Sequence, residues 1–356
     1  MQLSDFDFQL PSEQIAQEPL PERDASRLMR VQRSTNAISD TDFSNLSDLV
    51  RPGDLFIFND AKVIPARLKG TKKGSGGKVE LLLCRPASPG PASQALNSDL
   101  KDELFQWICL GQASKKIQPG CEIDLGRGFT ATVVEAPGNG EYRVRFFAPK
   151  SSSLSDLLDQ VGQIPLPPYI HRVPNSTDAQ RYQTLFAQSP GSAAAPTAGL
   201  HFSRETLESL KRNGIFTAHL TLDVGPGTFM PVRDEDLQKH QLHRERFDLP
   251  QATVDAIAAA NREGRRVLAV GTTVVRVLES GSEVLTAGPG ETRLFIRPGF
   301  RFHHVDAMIT NFHLPRSTLL MLVCAFGGSG LILDAYRQAV TRKYRFFSYG
   351  DAMLIE

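Results

Sequence analysis

Apolar and polar positions alternate most strictly at residues 215–224. Phe216, Ala218, Leu220, Leu222 and Val224 fall on one face of a two-residue period, and Ile215, Thr217, His219, Thr221 and Asp223 on the other. That period predicts a strand with one buried face. Just upstream, Leu207 and Leu210 follow a capping Ser203, and Asn213-Gly214 supplies a left-handed stop, which predicts a short helix. A helix around Val254, Ile257 and Ala258 ends at Gly264, RRVLAVG (265–271) reads as a strand, and a new helix starts near Thr272. Ile332, Ala335, Tyr336, Ala339 and Val340 recur at helical spacing, with Arg337, Gln338 and Arg342 outside the stripe. Strands alternating with helices predict α/β architecture.

A different texture occupies residues 79–148. Short apolar or alternating runs at 79–84, 104–110, 122–125, 129–135 and 142–147 are separated by turn residues, which predicts an antiparallel barrel. In the last run Tyr142, Val144 and Phe146 alternate with Arg143 and Arg145, and PGNG (137–140) turns the preceding strand back. Residues 85–103, rich in Pro, Ser and Ala and without period, predict a long exposed loop. Serines at 151–153 mark a boundary before a helical stripe of Leu154, Leu157, Leu158 and Val161. Residues 319–326 form a strongly apolar run far short of the roughly 20 residues that cross a bilayer, and read as a buried strand.

The chain has 356 residues, 40 Lys+Arg against 39 Asp+Glu, and 41% hydrophobic residues. That length suggests about two domains, and the apolar content excludes a disordered chain. The N-terminal residues lack the basic start and apolar stretch of an export signal, and Cys84, Cys109, Cys121 and Cys324 form no CxxC pair. The expectation is a cytoplasmic protein without zinc or disulfides. Balanced charge leaves nucleic acid open as a partner. Residues 62–78 hold Lys62, Arg67, Lys69, Lys72, Lys73 and Lys78 with no acidic residue; charge patterning alone favours a solvated loop between strands.

Candidate chemistry clusters in loops. At residues 267–280 a strand, a glycine turn and a helix place Thr272 and Thr273 where an anion is favoured, or where ordinary capping occurs, with Arg276 one turn on. DVGPGTF (223–229) carries Gly225 and Gly227 without the third glycine of a dinucleotide fingerprint, so it reads equally as a tight turn or a close approach to a ligand. His219, Thr221 and Asp223 share a strand face that meets either a cleft or solvent. PGSAAAPTAGLHF (190–202) is too small-sided to supply much core, which points to backbone contact with a ligand near His201. Asn311, His313 and Arg316 lie directly before the expected strand at 319–326. His240 with His243, and His303 with His304, lack the companions of a metal site. No nucleophile elbow, P-loop or cysteine signature occurs.

Longer strings carry more. FNDAKVIPARLKG (58–70), IPLPPYI (164–170), RYQTLFA (181–187), PGSAAAPTAGLHF (190–202), VGPGTFMPV (224–232), AVGTTVVRVLES (269–280), TNFHLPRSTLLMLV (310–323) and YRFFSYGDAMLI (344–355) resemble the S-adenosylmethionine:tRNA ribosyltransferase-isomerase family of queuosine biosynthesis along the whole chain. The resemblance implies a large mixed α/β domain (1–61 and 152–356) with an inserted antiparallel β-barrel domain (62–151). It implies transfer and isomerisation of the ribosyl group of S-adenosylmethionine onto 7-aminomethyl-7-deazaguanine at the tRNA wobble position, giving epoxyqueuosine and releasing adenine and methionine. S-adenosylmethionine is then a consumed co-substrate, with no cofactor, metal or membrane involved.

Such chemistry needs a base beside the sulfonium, a route for the substrate amine and help for departing adenine. Within the family-like motifs the candidates are His201, His313 and Asp351 for catalysis, with Tyr349 and Asp351 near the sulfonium or target base. Thr272, Thr273 and Arg276 would take the methionine carboxylate. Gly225, Gly227, Thr228 and Asn311 would contact substrate, and Arg67, Lys69, Lys72 and Lys73 the tRNA phosphates. The chain departs from the family pattern at Asp60-Ala61-Lys62, where Asn-Thr-Arg is frequent, at His171, where Asp is common, and at Asp223, where His is frequent. A conventional methyltransferase would need a glycine-rich loop after its first strand, which is missing; a non-catalytic RNA-binding module would leave the loops of the larger domain without a purpose.

Overall fold

The runs read from the sequence assemble into a large sheet, a closed barrel and a small two-stranded sheet in the computed structural model, which describes residues 1–88, 92–97, 106–138, 140–148, 152–225, 242, 244–281 and 283–356. In chain order the strands are β1 (Arg27–Gln32), β2 (Ala37–Asp42), β3 (Leu55–Asn59), β4 (Ala61–Val63), β5 (Arg67–Lys72), β6 (Lys78–Pro86), β7 (Gln106–Ala113), β8 (Glu122–Gly126), β9 (Phe129–Gly138), β10 (Glu141–Phe147), β11 (Ser189–Ser192), β12 (Phe216–Leu222), β13 (Glu245–Leu249), β14 (Val267–Val270), β15 (Gly288–Thr292), β16 (Ala307–Asn311) and β17 (Ala352–Ile355). The helices are α1 (Leu46–Leu49), α2 (Ala92–Leu96), α3 (Leu154–Val161), α4 (Ser176–Arg181), α5 (Arg204–Arg212), α6 (Gln251–Arg262), α7 (Thr272–Leu278), α8 (Thr318–Gly327) and α9 (Ser329–Thr341).

One sheet runs β15-β13-β12-β3-β14-β16-β17-β1-β2, with β12, β3, β14 and β16 mutually parallel at its centre. Strands β3, β14, β16 and β17 are buried along their whole length, so they read as continuous apolar runs. Alternate side chains feed opposite faces. Ile57, Ala269 and Met308 join a core with α6, α7, α8 and α9, while Phe56, Phe58, Leu268, Val270 and Ile309 join another with Phe202 and Leu210. Phe216, expected on the buried face, is 54% exposed at the start of β12, where the Arg265 guanidinium covers its ring.

The second sheet is a closed antiparallel barrel, β10-β7-β6-β5-β8-β9, filled by Leu68, Leu81, Trp107, Ile123, Val133 and Phe146 among others. Helix α3, capped by Ser153, buries Leu154, Leu157 and Leu158 against this core. The mixed α/β fold with an antiparallel barrel is therefore as expected.

Four local expectations need correction. Residues 319–326 belong to helix α8, capped by Ser317; a helix buried on nearly all sides has no polar stripe to reveal its period. The stretch 85–103 contains α2, whose Ala92 and Leu96 are buried, although much of it lies outside the described residues. Arg67 to Lys72 form barrel strand β5 rather than a loop. The small-residue stretch 190–202 supplies core after all: β11 pairs with β4, and Ala193, Ala194, Leu200 and Phe202 are buried. Its small side chains reflect tight packing, since a Cβ on Gly199 would lie 2.7 Å from the Phe186 ring.

Among the described residues no single helix is long and apolar enough to cross a membrane; α8 and α9 together are, but they bend by 118° and lie largely within the core.

Candidate active site at the carboxyl ends of the parallel strands

In open α/β sheets ligands bind beyond the carboxyl ends of the strands. Here β14 is followed by Gly271, whose φ of +97° lets the chain turn at once into α7, and β16 ends at Asn311. The segments that follow, together with residues 195–198 and 347–348, enclose a pocket that also includes Tyr169 and Val224. Thr272, Thr273, Asn311, His313 and Arg316 all line it, so five of the residues singled out from sequence are brought together. Arg316, in a left-handed conformation, is the one charged residue among the described lining residues. The Tyr169 and Phe347 rings pack with centroids 4.1 Å apart, and the Tyr169 and Ser348 hydroxyls are hydrogen-bonded.

Asn311 Nδ2 donates to the Phe347 carbonyl at 3.1 Å and lies 3.0 Å from His201 Nε2. His201 Nδ1 is 2.7 Å from Ser26 Oγ, and the ring stacks on Phe43 with centroids 5.2 Å apart. Burial, reinforced by the charges of Arg345 and Arg23, pushes the His201 imidazole down to about 3. His313 Nε2 is 2.9 Å from Thr310 Oγ1, and its backbone N–H donates to the Tyr336 hydroxyl at 3.0 Å. Burial alone pushes His313 down to about 3, so it is neutral in the physiological range. Asn311 Oδ1 and Thr273 Oγ1 are buried and make no hydrogen bond among the described residues.

Other candidates sit elsewhere. Asp351 is not at the pocket: its buried carboxylate accepts the backbone N–H groups of Arg27 (3.0 Å) and Arg345 (2.8 Å), clasping the entry to β17. Burial raises its pKa against those two bonds. The Tyr349 hydroxyl donates to Asp178 at 2.9 Å, a carboxylate already gripped by both terminal nitrogens of Arg172 at 2.6 and 2.7 Å. Tyr349 and His201 face a separate small cleft beside Arg23 and Ser26.

Arg276 is also separated from Thr272 and Thr273. It is buried, paired with Glu245, and its Nε donates to the Leu294 carbonyl at 3.2 Å. Helical spacing turns it towards a cleft between barrel and sheet, shared with Gly225, Asp223, Arg85 and Glu141. There burial pushes Asp223 up to about 7, opposed by Arg246 and aided by Asp60 and Glu245. Thr221 donates to Asp60 at 2.6 Å, while His219 packs against the Phe58 and Phe186 rings, which also touch each other. Gly227, Thr228, His240 and His243 lie outside the described residues.

On the barrel, Arg67 pairs with Glu80 at 3.2 Å, Lys73 with Glu122 at 2.9 Å, and Lys72 donates to the Lys115 and Lys116 carbonyls at 2.9 and 3.2 Å. Lys69 is exposed, opposite Glu80 in the β5–β6 register. Among the described residues no group of three or more His, Cys, Asp or Glu is placed to hold a metal ion.

Sequence reasoning missed Ser26, Tyr169, Thr310, Phe347 and Ser348. Four of these fall inside the family-like strings at 164–170, 310–323 and 344–355; Ser26 carries no local signal, because its relevance comes from a histidine 175 positions away.

A family model described as queuosine biosynthesis protein matches residues 3–355. The S-adenosylmethionine:tRNA ribosyltransferase-isomerase of Anaeromyxobacter sp. (strain K) is 52% identical over 357 residues, covering 100% of this chain and 99% of that protein. Its counterpart from Geobacter sulfurreducens is 49% identical over 358 residues with 100% of both covered. Among solved structures, the S-adenosylmethionine tRNA ribosyltransferase from Thermotoga maritima is 35% identical, covers 99% of this chain and 100% of its own, and superposes with a TM-score of 0.55.

Proposed function

Because this chain belongs to the queuosine biosynthesis protein family, we propose that it is an S-adenosylmethionine:tRNA ribosyltransferase-isomerase that moves the ribosyl group of S-adenosylmethionine onto 7-aminomethyl-7-deazaguanine at the wobble position of tRNA. The product is epoxyqueuosine in the tRNA, with adenine and methionine released. The observation that carries this reading is the convergence of family-like motifs far apart in sequence, from Tyr169 to Ser348, on one pocket at the strand ends.

In this reading the sulfonium compound occupies that pocket. Its walls combine the Tyr169 and Phe347 rings, whose faces suit a sulfonium cation, with neutral hydroxyl and amide groups, and Arg316, the one charged lining residue among the described residues, suits the methionine carboxylate. His313, the one imidazole lining the pocket among the described residues, takes the proton from the carbon beside the sulfonium. Thr272 and Thr273 bind the donor. Arg276, on the other cleft, is left as a structural residue bonded to Glu245. Asp223, standing where a histidine is frequent in the family, borders the cleft beside the barrel. S-adenosylmethionine is consumed and no further cofactor is required.

The barrel, taken as an inserted domain over residues 62–151, would meet tRNA phosphates through Lys69, Lys72, Lys73 and Arg67. The setting would be the cytoplasm, where tRNA is matured.

The test is product analysis with purified protein, S-adenosylmethionine and tRNA bearing the aminomethylated base. Free adenine and methionine in equal amounts, with the epoxy nucleoside detected by mass spectrometry, are expected. S-adenosylhomocysteine instead would indicate methyl transfer, and binding without any product would indicate an RNA-binding module.

A further inference from the structure

The Asn311 amide is oriented by its surroundings. Its nitrogen faces the Phe347 carbonyl oxygen, which only accepts, so that corner of the amide must be the NH2 group. The same nitrogen faces His201 Nε2 at 3.0 Å, which therefore carries a lone pair. The proton of the neutral ring is then on Nδ1 and is donated to Ser26 Oγ. Both ring nitrogens are occupied, the ring is stacked on Phe43, and burial keeps it neutral across the physiological range. Such a histidine has no free site for moving protons. What it does is fix its neighbour: with both amide hydrogens engaged, Asn311 Oδ1 is held at the remaining corner, buried and without a donor among the described residues.

Thr273 Oγ1 is a second buried polar atom in the same condition on the same pocket. A buried acceptor and a buried hydroxyl left unmatched are costly unless a bound molecule completes them. The neighbouring walls, Tyr169, Leu314, Pro315 and Phe347, are apolar or flat and suit a planar ring.

We infer that Ser26 and His201 are positioning residues that hold Asn311 Oδ1 towards the pocket as a fixed acceptor for the exocyclic amine of a purine-type ring, with the Thr273 hydroxyl serving a neighbouring ring nitrogen. The inference rests on the reaction proposed above, since both its substrates carry such a ring: adenine in the donor, an aminated deazapurine in the tRNA.

Calorimetry with S-adenosylhomocysteine and S-inosylhomocysteine, in which a carbonyl replaces the amine, tests it. Wild-type protein should prefer the adenosyl compound at least ~10-fold, because an acceptor facing a carbonyl is left unpaired. Asn311→Leu should erase the preference. His201→Gln, whose amide can accept from Asn311 and donate to Ser26, should keep the preference and the wild-type pH profile of kcat. His201→Phe, which retains the ring stack only, should lose most of the preference. A parallel arm compares anticodon stem–loops with guanosine or inosine at the wobble position; a preference found there, and removed by Asn311→Leu, would assign the amine to the target base instead.

No amine preference in either arm, a preference that survives Asn311→Leu, or a changed pH profile in His201→Gln would overturn the inference. Wild-type protein that binds no S-adenosylhomocysteine and releases no adenine would sink the ribosyl-transfer reading itself.

Discussion

In the cleft between barrel and sheet, Arg276 is bonded to Glu245, Arg85 reaches Glu141 at 3.2 Å, and Arg246 donates to the Pro86 and Ser88 carbonyls at 3.3 and 3.0 Å. The pocket at the strand ends is built from neutral groups apart from Arg316, yet it is there that Asn311 Oδ1 and Thr273 Oγ1 lack partners among the described residues. Arg276 also has one unmatched nitrogen, Nη2, but its charge is met by Glu245. The contrast separates two uses of polarity. In the cleft, charges answer one another within the sheet layer and within the barrel, and Arg246 ties the two together through backbone carbonyls. In the pocket, polarity is kept for something that arrives from outside, and its neutrality is what makes leaving it open tolerable, because an unmatched buried charge costs far more than an unmatched amide oxygen.

Breaking the cleft pair should have the largest effect on stability. Glu245→Ala strands the Arg276 charge in a buried setting, and urea denaturation should show a loss of about 3–5 kcal/mol, with the KM for S-adenosylmethionine within about twofold of wild type. A large rise in KM with unchanged stability would reverse the assignment of the two regions.

Acid should discriminate them next. His201 and His313 resist protonation in the folded protein but take protons near pH 6.5 when unfolded, so the stability they contribute is complete above that pH and is lost as pH falls towards 3. At pH 5.5 the loss should be about 1.4 kcal/mol per histidine, and the His201→Gln, His313→Gln double variant should have a flatter acid limb in urea titrations. Asp223 acts in the opposite sense. Its raised pKa, about 7 against 3.8, favours the folded state at low pH, and that contribution disappears as pH rises through 7. Asp223→Asn should therefore gain more stability at pH 8 than at pH 5.

Thr273→Val removes an unmatched hydroxyl at nearly constant volume. Stability should stay within about 0.5 kcal/mol of wild type, while the KM for S-adenosylmethionine rises about tenfold, or 1.4 kcal/mol. A stability loss above 1 kcal/mol would mean the hydroxyl is satisfied within the protein. The smallest effect is expected on the barrel. Neutralising Lys69, Lys72 and Lys73 should weaken tRNA binding and reduce the slope of log affinity against log salt by about one for each phosphate that no longer meets a positive charge. An unchanged slope would leave those lysines as a solvated strand face.

Much of the fold was legible because local rules and tertiary packing agree: the alternation at 216–222, the Ser203 cap and Gly214 stop around α5, and the barrel runs all depend on neighbours in sequence. Helix α8 was not, since burial on nearly all sides erases the polar stripe that would distinguish it from a buried strand. In the pocket, Thr272, Thr273, Asn311 and His313 were legible from their places just beyond strand ends. Arg276 does not join them because one helical turn carries it round to the other cleft, and Asp351 because its carboxylate is committed to two backbone N–H groups. The Ser26–His201–Asn311 chain was out of reach for a different reason: its links span 175 and 110 positions, and no local pattern records such meetings.

Strand β17 sits inside the large sheet, flanked by β16 and β1, and pairs Leu28 with Ala352. As the ribosome makes the chain in order, the β1–β2 ribbon emerges early and has no inner neighbour until 324 more residues (28 to 352) have been added. A two-stranded hairpin alone is marginally stable, so this end of the sheet cannot be completed until β17 has been made, and the apolar side chains of β1 wait for cover until then.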